Sequence, residues 1–347
     1  MHVFSSLFRT SHISIRYKVE SIAGNILCWV KKPDYTSIRK QLIKCKCIDD
    51  NTGFMILNLR SRDDIISDNT IMIIFQNFKQ IFNVDKMFSL KGLWLTRNFD
   101  QLELLSQLGC LTNLDLSFNE LTNIPSEIGN LTNLNTLYLD NNKLTNIPSE
   151  IGNLTNLTYL CLNNNELTSL PSEIWNLTNL TQLYLNYNQL TNLPSEIGKL
   201  TNLTHLDLNV NKLTNIPSEI GKLINLTQLV LSYNDLENIP SEIGNLTYLD
   251  QLYIRDNKLT NLPSEIGKLT NLTELYLGFN ELANIPSEIG NLTNLTNINL
   301  YHNQLTNLPS EIGKLTNLTE LFLHNNKLTN EFKVQINSWF KNGVVCV

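Results

Sequence analysis

From about residue 88 to residue 330, leucine and isoleucine return in one fixed order, separated by polar residues in an equally fixed order. One unit, Leu269 to Asn291, reads LTNLTELYLGFNELANIPSEIGN. Leu272, Leu275 and Leu277 alternate with polar or aromatic residues, which predicts a short strand whose leucines point inward. Asn280 stands where the chain must turn off the sheet. Its amide carries both donor and acceptor, so a stack of such residues can satisfy the backbone groups the turn exposes. Leu282 and Ile285 continue the inward column, Pro286 opens a short helical turn, Ile289 packs inward and Gly290 allows the exit towards Leu292. A single unit cannot bury its own apolar side. Stacked copies make a continuous core with a parallel sheet along one face.

The copies are present. Asn119, Asn142, Asn165, Asn188, Asn211, Asn234, Asn257, Asn280, Asn303 and Asn326 follow one another at 23 residues and form a predicted structural ladder. Nine of the ten prolines, Pro125 to Pro309, keep the same step. Asn98, after Leu90, Leu93 and Leu95, fits an eleventh unit at a spacing of 21. The pattern LxxLxLxxNxL resembles the leucine-rich repeat family. That implies an α/β solenoid with a curved parallel sheet on the concave face and short helical turns on the convex face. Within the family, the 23-residue unit with LPxxIGxL resembles the intracellular Ras-group type, scaffold-like proteins near small GTPases. The plant-receptor type carries Gly shortly before the Ile-Pro, where this chain has Thr122-Asn123-Ile124-Pro125. The near-identical, Asn-rich units also resemble repeat arrays of giant DNA viruses and some protists.

Some units depart from the wording. Trp175 stands where the others place Gly, and a left-handed exit there would tolerate Trp poorly, so that turn is expected to leave differently. Ser169 replaces the Asn before Leu170-Pro171, and Tyr248 replaces the Asn of the LTNL column. At the C-terminal end Phe332, Ile336, Trp339 and Phe340 recur at helical spacing, which predicts a capping helix over 330–342. The expected organisation is an N-terminal cap or small α/β region (1–88), the repeats (89–329), and a capping helix with tail (330–347). Within the first region Ile13, Ile15, Tyr17 and Val19 read as a strand, and Ile71 to Phe82 as a strand or short helix. Residues 1–19 lack acids, a composition shared with organelle transit peptides. The apolar run Ile22 to Val30 is too short to span a bilayer.

Composition changes the picture in two ways. The chain has 347 residues and carries 51 asparagines, and the repeat accounts for most of them, so the bias is periodicity rather than low complexity. Residues 1–90 hold 13 basic and 8 acidic side chains, and residues 91–347 hold 13 and 24. An acidic array is the wrong sign for nucleic acid. Six scattered cysteines without CxxC spacing read as reduced thiols in the cytoplasm. Twelve Asn-Leu-Thr sequons arise from the repeat wording and would become glycan sites only in a secreted chain. His302, His324 and Glu320 lie on neighbouring units and have ligand chemistry, but ordinary exposed side chains are the plainer reading. No phosphate loop, nucleophile elbow or kinase signature occurs, so no enzymatic activity, cofactor or metal is expected.

What varies between units is the outward face of the strands. It collects Tyr138, Tyr159, Tyr184, Tyr187, Tyr233, Tyr253, Arg255, Tyr276, Phe279, Tyr301 and Phe322. Tyr and Arg dominate binding hot spots, being large and stiff with a polar tip. The expectation is a non-catalytic scaffold that binds a protein partner on this face, with a small-GTPase pathway implied by the resemblance. The alternative is a substrate-recognition subunit whose first 88 residues recruit a ubiquitin ligase or carry an activity.

Overall fold

The computed structural model describes residues 48–49, 54–57, 92–95, 111–340 and 345–346. The expected strand at Ile13–Val19, the Ile71–Phe82 segment, the transit-like stretch and Asn98 lie outside these residues. One sheet runs the length of the described chain. It opens with β1 (Ile48–Asp49), β2 (Phe54–Leu57) and β3 (Gly92–Leu95). Ten three-residue strands follow, from β4 (Asn113–Asp115) to β13 (Glu320–Phe322), and β14 (Val345–Cys346) closes the sheet. β1 pairs antiparallel with β2, and every later pairing is parallel. From β4 to β13 each residue lies beside the one 23 positions on, as Gln251 lies beside Glu274. β3 meets β4 at a step of 21, Gly92 beside Asn113.

Each repeat strand sends one leucine or isoleucine inward, and Leu137, Leu160 and Leu183 are fully buried. They join the Leu and Ile of the convex turns in a single core from Leu111 to Ile336. Among the described residues nine five-residue 3-10 turns, Ser126–Asn130 to Ser310–Lys314, line the opposite side. Each proline sits just ahead of its turn in extended conformation, as Pro286 does at φ −65° and ψ 147°. The Pro286 carbonyl accepts from Ile289 N–H, and the Ile289 carbonyl from Leu292 N–H, the i→i+3 bonds of a 3-10 turn.

The Asn ladder joins neighbouring units. Asn211 Nδ2 donates to its own unit's Leu208 carbonyl and to Leu185 of the unit before, both at 3.0 Å. Its Oδ1 accepts from Leu190 N–H at 3.0 Å. The same three-way link recurs at Asn165, Asn188, Asn234 and Asn280. A second ladder is visible only in the structure: Asn156 Nδ2 donates to the Thr132 carbonyl at 2.8 Å, and the LTNL asparagines to Asn317 repeat the bond. Tyr248 leaves that column, and its side chain stands exposed, as does Ile224, which replaces a threonine one unit earlier.

The reading of the turn glycines needs correction. None has a positive φ; they are required because the next unit comes so close. A Cβ on Gly221 would lie 2.5 Å from the Glu242 carbonyl oxygen. Trp175 therefore faces a space problem and not a torsional one. Its turn, Ser172–Asn176, leaves as its neighbours do, with Leu177 at φ −77° and ψ 57°. The indole is buried in the core, and this turn packs less closely on Ser195–Lys199 than the other turns do on theirs.

At the C-terminal end, α1 (Asn330–Trp339) is shorter than the 330–342 span read from the sequence. Thr329 caps it by accepting from Phe332 N–H. Ile336 is buried and Phe332, Trp339 and Phe340 pack on the core, so α1 covers the last coil where another unit would sit. Accordingly, a Cβ on Gly313 would meet the Trp339 side chain at 3.6 Å.

Candidate functional site

The outward strand residues and the residues just beyond each strand share one face, and the structure sorts them into groups. Tyr138 and Tyr159 pack with tilted rings at 4.9 Å between centroids, and Tyr159 and Tyr184 likewise at 5.4 Å. Asp115, Asp140 and Cys161 lie around these rings. Burial pushes the carboxyls of Asp115 and Asp140 above their usual range, despite hydrogen bonds from Ser117 and Asn141 that pull the other way. Burial also pushes the Cys161 thiol up to about 12 and the phenols of Tyr138, Tyr159 and Tyr184 upward. The first group is therefore an aromatic surface with two half-buried acidic side chains beside it.

The second group is built around Arg255. Its guanidinium lies 5.6 Å from the Tyr233 ring centroid, 4.9 Å from Phe279 and 5.4 Å from Tyr301. Phe279 and Tyr301 meet edge to face at 4.7 Å. Gly278 makes room, since a Cβ there would come within 2.6 Å of the Tyr301 ring. Arg255 Nε donates to Asp256 at 2.8 Å. Alongside, the tilted rings of Tyr253 and Tyr276 pack at 5.0 Å, and Tyr253 Oη donates to Glu274. Tyr187 and Phe322 share the face but make no ring contact among the described residues. Sequence reasoning missed the part played by two histidines: His302 stacks on Phe279 at 4.3 Å and His324 lies against Tyr301 at 4.8 Å. Glu320 turns to Asn297, and among the described residues no three His, Cys, Asp or Glu side chains form a metal-ligand set.

Backbone geometry adds a constraint that the sequence did not announce. The residue before each ladder asparagine is left-handed, from Phe118 at φ 58° to Asn325 at φ 58°. Asn141, Asn164, Asp256, His302 and Asn325 suit that conformation. Phe118, Tyr187, Val210, Tyr233 and Phe279 do not, and each carries a cost of roughly 1–2 kcal/mol there. Val210→Asn is accordingly expected to raise stability by about 1 kcal/mol, measured by urea unfolding; no gain would show that the strain is relieved elsewhere.

The residues available here stack, hydrogen-bond and pair charge. Among the described residues no helix is long and apolar enough to cross a membrane.

Comparison with known proteins agrees with this architecture. The family model described as "Leucine-rich repeat region" matches residues 59–211, 149–235, 171–252 and 214–340. Among curated proteins no relative matches. An internalin (inlF) from Listeria monocytogenes is 25% identical over 94% of this chain and 92% of its own, with a TM-score of 0.63. The plant peptide hormone receptor RGFR1 in complex with RGF2 is 33% identical over 69% of this chain and 44% of that one, with a TM-score of 0.57. The PEPR1–AtPEP1 structure is 34% identical over 70% of this chain and 36% of that one, with a TM-score of 0.61. The chain thus spans less than half the length of either of these last two chains. With strands, ladder and turns repeating along the described residues 111–340 of the matched stretches, this chain belongs to the leucine-rich repeat family.

Proposed function

We propose that the protein is a non-catalytic scaffold that binds a segment of a protein partner along its concave face. The observation that carries this reading is the placing of rings where the fold does not favour them. Phe118, Tyr187, Tyr233 and Phe279 hold left-handed positions that Asn fills at lower cost in neighbouring units. Phe118, Tyr187 and Tyr233 are 53%, 52% and 44% exposed, so core packing does not repay the strain. Backbone strain kept at an exposed ring is characteristic of a working surface. The solved complex of the plant peptide hormone receptor RGFR1 with RGF2 supports the same use of this architecture.

Tyr138 to Tyr301 covers eight adjacent strands, roughly 35 Å at the usual strand spacing, which an extended segment of about ten residues would span. The repeat type and the free Cys161 thiol support a cytoplasmic setting, with a small-GTPase pathway as the family-based reading of the partner. Changing Tyr184, Tyr253 and Tyr276 together to alanine is expected to abolish partner capture from an extract of the native host while circular dichroism stays that of the parent. Capture at parental levels would place the binding surface elsewhere.

A further inference from the structure

We propose that Arg255, held among Tyr233, Phe279 and Tyr301, is an anchor for an acidic side chain of the bound partner segment. This rests on the concave-face reading above and adds the chemistry the partner must bring. Three features of the site converge on it.

The first is the guanidinium's setting. Three rings surround it at 4.9–5.6 Å, supplied by three units other than its own. A flexible arginine loses much rotamer freedom when it grips a ligand; here the rings have already restricted it. The second is its hydrogen bonding. Asp256 takes Nε alone, at 2.8 Å. The terminal nitrogens meet no acceptor among the described residues, although the side chain is only 37% exposed. They are the planar pair of donors that matches a carboxylate.

The third is what surrounds it. Asp256 fixes the guanidinium from the side and itself sits at φ 53°. Glu274, the nearest acid in the next strand, is engaged by Tyr253 and not by Arg255. Gly278, with no side chain, lets Tyr301 lie beneath the guanidinium. The rings exclude water from one side of the charge, which strengthens a carboxylate contact on the other. Arg255 is the only arginine among residues 111–340, in an array whose lysines lie on exposed edges such as Lys143 and Lys258.

The test uses the full chain and a phage-displayed library of random 12-residue peptides. Selected sequences are resynthesised with amidated C-termini, so that a terminal carboxylate cannot stand in for a side chain. The expected result is an Asp or Glu at one register position. Its replacement by Asn or Gln should weaken binding about tenfold to the parent, and leave binding to Arg255→Gln unchanged. Arg255→Lys, which keeps the charge but not the planar fork, should fall between the two, with circular dichroism of both variants native. Two outcomes overturn the proposal alone: tyrosine-dependent binders without an acid, or an acid effect of equal size in Arg255→Gln. A failure to select any peptide whose binding depends on Tyr184, Tyr253 and Tyr276 overturns this proposal together with the concave-face reading.

Discussion

Asn211→Leu is expected to lower the stability of the array by about 1–3 kcal/mol, an effect large enough to read directly in a urea or thermal melt. The substitution is close in volume, so packing changes little; the loss is polar. Leu190 N–H loses its acceptor, while the carbonyls of Leu185 and Leu208 each lose one of two donors and keep Asn188 and Asn234 respectively. The buried N–H left unmatched costs about 1–3 kcal/mol. Asn215→Leu is the control, because Asn215 is exposed four positions further along the same unit. If the two variants melt alike, the ladder does not hold neighbouring coils together.

The second large effect belongs to the turn glycines. Gly221→Val places a branched side chain where a Cβ alone would stand 2.5 Å from the Glu242 carbonyl oxygen and 2.7 Å from Glu242 Cβ. Backbone cannot yield there without separating two coils, and overpacking of this kind costs about 1–3 kcal/mol or more. Gly313→Val is the comparison, because a Cβ there would meet only the Trp339 side chain of the capping helix, at 3.6 Å, an ordinary contact. A melt in which both variants lose equally would return the explanation to backbone torsion.

The core, the parallel sheet and the ladder were legible because each is written ten times in one register. Leu252 could be placed inside without knowing anything beyond the period, and it is fully buried. The same repetition hid causes. Gly221 recurs whether the demand is torsional or spatial, and only the approach of Glu242 separates the two. Asn156 reads in the sequence as part of a repeated column, whereas its amide bonds the Thr132 carbonyl of the unit before.

The binding face was legible as a set of columns but not as groups. Tyr138 packs on Tyr159 across two different columns, and Arg255 reaches Tyr301 two units away because Gly278 leaves room. Such diagonal contacts depend on side-chain torsions that a period does not encode. The left-handed column was obscured for a related reason. Half of its members are asparagine, aspartate or histidine and the other half are bulky, so its residue types give no single signal.

The uniform step of 23 between β4 and β13 also has an evolutionary consequence. Loss or duplication of one whole unit joins two coils through the same Asn amide, the same leucines and the same turn, so the seam left behind is chemically the old one. A change of any other length would set an asparagine against the wrong carbonyl. Recombination between near-identical stretches of coding sequence can therefore lengthen or shorten this array as a folded object, carrying whole strips of recognition surface in and out while the interior stays unaltered.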